Sequence, residues 1–128
     1  MIETKTAALL NPYIGTKNER GDPIYSQDSL NSFVRALDKS GFQVHVHAVG
    51  DRAIHMPLDA FEDAITVNGS RDSRHHITHL ELIDPLDIPR FRALGVAANF
   101  QPMWVLAPTA ALTRHIGASP IAEDLNHG

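Results

Sequence analysis

Gln43-Val44-His45-Val46-His47-Ala48-Val49-Gly50-Asp51 is the stretch that decides the fold. It is a short β-type run that ends at a glycine and an acidic residue, and a helical pattern follows it. The same construction returns at Arg74-His75-His76-Ile77-Thr78-His79-Leu80. Each run delivers a histidine to the C-terminal tip of its strand. His79 follows His47 by 32 positions, close to the roughly 31 residues that one strand–helix unit takes in an eightfold α/β barrel of about 250 residues. Active sites of such barrels form at the C-terminal strand ends. Two histidines there read as metal ligands or proton carriers.

Upstream, Pro12, Gly15, Gly21 and Pro23 punctuate an irregular segment over residues 1–25. Ser26 or Asp28 can cap a helix whose apolar stripe is Leu30, Phe33, Val34 and Leu37, and Gly41 stops it. Strand alternation from Phe42 to Val49 sets Phe42, Val44, Val46 and Ala48 on one face and Gln43, His45, His47 and Val49 on the other.

Downstream of that strand, a helix over about 51–67 carries Ala53, Ile54, Leu58, Phe61 and Ile65. Pro57 predicts a kink or an interrupted start within it. The second strand spans 75–80, with His75, Ile77 and His79 on one face. Asp84-Pro85 and Asp87-Ile88-Pro89 both resemble helix starts, and Gly95 ends that helix after Leu94. A third strand spans 96–101. A loop with Trp104 and a weakly helical tail follow. The order α, β, α, β, α, β predicts an α/β fold: about three parallel strands with flanking helices, forming part of a (β/α)8 TIM-type barrel.

The bulk properties narrow the function. The 128 residues are 43% hydrophobic and 20% charged, which is the composition of one globular domain. A net charge of -4 excludes the basic footprint of a nucleic-acid binder. The absence of Cys removes disulfides, thiolate metal sites and a cysteine nucleophile. No run reaches the roughly 18 apolar residues of a membrane span, and Met1 to Lys5 lacks a signal-peptide pattern. A cytoplasmic location with no membrane or nucleic-acid partner is therefore expected. Six of the eight histidines fall between 45 and 79, dispersed among Val, Ile and Leu. They belong to folded structure rather than to a tag.

Four stretches together resemble the amidohydrolase superfamily, and more narrowly its third amidohydrolase family, which includes enzymes like N-substituted formamide deformylase. Residues Ile2 to Leu9 are similar to the segment after that family's fourth barrel strand. His45-Val46-His47-Ala48-Val49-Gly50-Asp51-Arg52-Ala53 resembles its fifth strand and following helix start. Arg74 to Leu80 resembles its sixth strand, and Gly95 to Pro102 its seventh. The resemblance implies strands five to seven of a barrel holding one or two divalent metals, usually zinc. It also implies hydrolysis of an amide, formamide or other C–N bond in a small-molecule substrate by a metal-activated water.

The resemblance makes His47 the fifth-strand ligand and His79 the sixth-strand ligand. Neutral imidazole suits Zn²⁺, and ligands from different strands can converge above the barrel mouth. The family's first-strand His-x-His pair, its fourth-strand bridging Lys or Glu, and its eighth-strand Asp have no counterparts here. His45-Val46-His47 mimics the first-strand pair, but the Gly50-Asp51-Arg52-Ala53 that follows marks it as the fifth strand. Thr78 stands where the family usually has Glu. These departures predict a single partial domain over 1–128, truncated at both ends and by itself inactive. Exposed sheet edges would then favour self-association.

Other residues have more ordinary readings. His45 and His75 can pack or support a ligand from behind. Asp51 can cap the second helix or orient the His47 ring. Gln101 and Trp104 can line a substrate pocket. Two alternatives to an enzyme remain at this level: a weak metal-binding module, and a plain α/β fragment whose histidines are incidental.

Overall fold

The computed structural model describes residues 1–2 and 4–101. Trp104 and the tail around it lie outside the described residues. Helix α1 spans Gln27–Lys39, capped by the Ser26 hydroxyl, which accepts the Ser29 N–H at 3.3 Å. Only part of its apolar stripe is buried. Val34 reaches the core, while Phe33 and Leu37 stay largely exposed beside Val44 and Val46 and line an open apolar trough there.

Strand β1 (His45–Val49), α2 (Asp51–Asn68), β2 (His76–Glu81), α3 (Ile88–Leu94) and β3 (Ala97–Phe100) follow. The three strands pair in sequence order, β1-β2-β3, and both pairings are parallel. This is the alternating arrangement that the sequence predicts. Every strand starts later than the apolar pattern does, β1 by three residues and the others by one, because pairing rather than hydrophobicity defines a strand end.

Two helices depart from expectation. Helix α2 runs without a break through the fully buried Pro57, so the interrupted start does not occur. Helix α3 begins at Ile88 rather than near Pro85. The Asp84 carboxylate accepts the Leu86 N–H at 2.8 Å and makes a turn of residues 84–87 instead, leaving Pro89 in the first helical turn. Arg90 then ties α3 to α2. Its guanidinium donates to Asp59 at 2.7 Å, Glu62 at 2.8 Å and Asp87 at 3.0 Å.

The main core joins Ile54, Leu58, Phe61 and Ala64 of α2 to Ala48, Ile77 and Leu80 of the sheet, with Val34 and Phe91 at its margins. A second cluster, Ile2, Ala7, Leu9 and Tyr13, packs on Val49 and Leu82 at the C-terminal ends of β1 and β2. The N-terminal segment is thus irregular but not loose. The Tyr13 hydroxyl donates to the Ala7 carbonyl at 2.8 Å, and the Leu9 N–H to the Arg20 carbonyl at 2.7 Å.

Gly50 makes this capping segment possible. Its φ is +104°, and a Cβ there would stand 2.5 Å from the Ala8 carbonyl oxygen. Gly50→Ala is expected to lower stability by about 2 kcal/mol or more, from left-handed strain plus that clash. Gly41→Ala, at φ +84° with open space around it, carries the strain alone. Chemical denaturation should rank Gly50→Ala clearly below Gly41→Ala. Equal losses would mean that the Ala8 contact contributes nothing.

Candidate metal centre

His47 and His79 meet at the tips of β1 and β2. Their ring centroids are 4.2 Å apart, and the rings stand edge to face at 72°. Simple alternation does not produce this contact. The parallel register sets His47 opposite Thr78 and Ala48 opposite His79. Ala48 is buried in the core under α2. A regular strand would send His79 the same way.

The backbone breaks the pattern instead. His79, Leu80 and Leu82 all have left-handed φ values, 75°, 58° and 59°. The register slips at the same place, so that Val49 faces Glu81. Left-handed non-glycine residues cost on the order of 1–3 kcal/mol each and concentrate at functional sites. Here they bring the His79 ring to His47.

The expectation that His75, Ile77 and His79 share one face is therefore corrected. His75 and Ile77 are buried on the helix-facing side, where the His75 ring stacks on Phe61 at 4.7 Å. His76 lies on the opposite face, paired with His45 at a centroid distance of 5.4 Å. His79 leaves the His75 face through its left-handed backbone.

The electrostatics of the pair suit a ligand. Burial, and then the charge a protonated His79 would carry beside it, holds the His47 imidazole below its ordinary value. At neutral pH His47 is uncharged, and a ring nitrogen lone pair is available. Among the described residues, no group of three or more His, Cys, Asp or Glu side chains is placed to hold a metal. Among the described residues, the structure brings together two imidazoles with no third side chain of these types.

The other expected site residues sit as follows. Asp51 neither caps α2 through its side chain nor bonds to His47. Its carboxylate accepts the Leu10 N–H and the Arg52 N–H, both at 2.8 Å, and so anchors the N-terminal segment. His45 is exposed, two residues below His47 along β1. Gln101 is half-buried just past β3. Thr78 is buried, and its hydroxyl donates to the Asn99 carbonyl at 3.4 Å.

His75 is fully engaged away from the pair. Its Nδ1 accepts the Val44 N–H at 3.0 Å, and its Nε2 lies 3.2 Å from the Asp38 carboxylate. The ring is therefore neutral with its proton on Nε2. Asp38 escaped the sequence reading. Its signal was an acidic residue one turn after Val34 on the buried side of α1. Burial works to raise its carboxyl, but hydrogen bonds from Asn68, Ser73 and Arg71 hold it below the usual value.

Comparison with known proteins is decisive at this point. Residues 2–128 match the sequence model of the amidohydrolase family. The chain belongs to this family. It is 35% identical over 117 residues to the protein LONG AFTER FAR-RED 3 of Arabidopsis thaliana, covering 91% of this chain and 20% of that protein. It is 30% identical over 101 residues to the putative amidohydrolase YtcJ of Bacillus subtilis, covering 79% of this chain and 18% of that protein. An uncharacterized metal-dependent hydrolase from Pyrococcus furiosus superposes with a TM-score of 0.74 at 27% identity, over 92% of this chain and 24% of that one. The amidohydrolase chain thus spans about a fifth of its curated relatives and a quarter of this solved hydrolase. Its three parallel strands and flanking helices have the fold of the metal-dependent hydrolases.

The His75 clasp predicts a pH dependence. Burial lowers the His75 pKa below 6.5, against the pull of Asp38. An unfolded chain takes up this proton near pH 6.5, and the folded chain takes it up only at lower pH. Folding stability should therefore fall as pH drops below about 6.5 and level off once the folded pKa is passed. His75→Gln should flatten that part of the profile, measured by urea denaturation at pH 7.5 and 5.5. An unchanged slope would show that His75 is not the group responsible.

Proposed function

We propose that His47 and His79 are two protein ligands of a zinc centre that hydrolyses an amide-type C–N bond in a small molecule. The observation that carries the reading is the meeting of these two rings at neighbouring strand tips, reached through strained backbone. Family membership supports hydrolysis, and the metal-dependent neighbour supports a divalent ion.

The residues present fit such an ion as a partial set. Zinc bound at about 2.0–2.1 Å from each nitrogen puts ring centres roughly 5 Å apart at a tetrahedral angle. The observed 4.2 Å reaches that by a small outward swing of one ring. When bound, such an ion lowers the pKa of its water toward about 7 and polarises the scissile carbonyl. His47, kept neutral by its surroundings, offers its lone pair without first losing a proton. The apolar trough beside β1, lined by Val44, Val46, Phe33 and Leu37 and reaching His45 and His47, is a surface for the non-reacting part of the substrate.

Two imidazoles are one donor short of the usual hydrolytic zinc shell. Nor is a carboxylate grouped with them among the described residues to take a proton from the attacking water. The 128-residue chain by itself is accordingly proposed to be inactive. The test loads the purified chain with zinc and assays N-acyl and N-formyl amines against His47→Ala/His79→Ala. The expected result is one fewer zinc bound per chain in the double variant, with no turnover in either protein. An unchanged zinc stoichiometry would refute the ligand assignment. Turnover clearly above the variant would refute the proposed inactivity.

A further inference from the structure

His45 and His76 form a second imidazole pair on the face opposite the helices. They are direct register partners on β1 and β2. Their ring centroids lie 5.4 Å apart, with the planes tilted by 59°. We propose that this pair is a separate cation site, one layer below His47 and His79, that takes a borderline transition ion such as Zn²⁺, Cu²⁺ or Ni²⁺.

Spacing is the first argument. A zinc ion about 2.0–2.1 Å from a ring nitrogen lies roughly 3.2 Å from that ring's centre, so two imidazoles at a tetrahedral angle have centres roughly 5.2 Å apart. The His45–His76 separation already matches this. The upper pair, at 4.2 Å, must open to reach it.

The second argument is availability. The other two histidines of this region are committed: His55 Nδ1 lies 2.9 Å from the Asp87 carboxylate, and His75 bonds through both nitrogens. Among the described residues, no hydrogen bond or ion pair engages either the His45 or the His76 ring. Their nitrogens are donors without a structural task.

Access and selectivity complete the case. His45 is exposed and lines the trough beside β1, so ions reach the pair from solvent. Two imidazoles, with no carboxylate grouped with them among the described residues, select nitrogen-seeking ions over Mg²⁺ and Ca²⁺, which require oxygen ligands. Water or a substrate heteroatom would complete the shell.

The proposal does not depend on His47 and His79 being ligands, and the experiment removes them. The His47→Ala/His79→Ala chain is titrated with Zn²⁺ and Cu²⁺ by calorimetry at pH 7.5, with Mg²⁺ as the negative control. One ion per chain should bind, and the Cu²⁺ electron paramagnetic spectrum should show two imidazole nitrogens. Adding His45→Ala, His76→Ala or both should each weaken binding at least ten-fold and to the same extent, because a chelate is lost with either ring. His115 and His127 are present in every variant, so their contribution cancels. Circular dichroism checks folding, and His45→Gln and His76→Gln replace any alanine variant that fails it. Absence of saturable binding in the starting chain overturns the proposal. So do independent, additive losses from the two histidines.

Discussion

The His75 imidazole is the contact on which the arrangement of this chain turns. One ring touches four elements. It belongs to the entry of β2, accepts the Val44 N–H at the entry of β1, pairs with Asp38 of α1 and stacks on Phe61 of α2. The His76 N–H returns to the Val44 carbonyl at 2.9 Å. These bonds set β1 against β2 at their first paired residues, and the parallel register carries that setting to the tips. His45 opposite His76, and His47 opposite Thr78, are consequences of it.

Asp38 is what keeps the clasp intact. A buried carboxylate without partners would be neutral or absent. This one receives Asn68 at 2.9 Å, Arg71 at 2.9 Å and Ser73 at 2.9 Å. Residues at the end of α2 and in the loop that follows thus hold the charge that orients His75. Removing Asn68 takes away the bond that Oδ2 receives, and a buried acceptor left unsatisfied costs more than the bond itself contributes.

Much of this was legible in the sequence. Valine-rich runs, helix stops at Gly41 and Gly95, and the spacing of the histidines point to the alternating elements and the parallel sheet. The pairing of His47 with His79 was also expected, though for a reason that the structure corrects. Period-two reasoning assumes a regular backbone, and nothing in a histidine or a leucine announces a left-handed φ. Glycine or asparagine would have signalled it. The α3 boundary is ambiguous in the sequence because two proline-bearing starts stand three residues apart, and an Asx turn decides between them. Asp51 has the sequence position of a cap, but its carboxylate does not serve only its own helix. It serves a segment 41 positions upstream.

That last tie has a consequence for how the molecule opens. The Leu10 N–H goes to Asp51, the Ala53 N–H to the Ala8 carbonyl, and the Gly50 N–H to the Glu81 carbonyl. The N-terminal segment, the first turn of α2 and the end of β2 meet in one knot of hydrogen bonds. Local unfolding proceeds in cooperative units rather than bond by bond. These three amides are expected to open together. A fluctuation that frees residues 7–10 removes bonds held by the turn directly after the β1 tip. The strand tip that carries His47 is thereby anchored through a stretch with no helix or strand of its own.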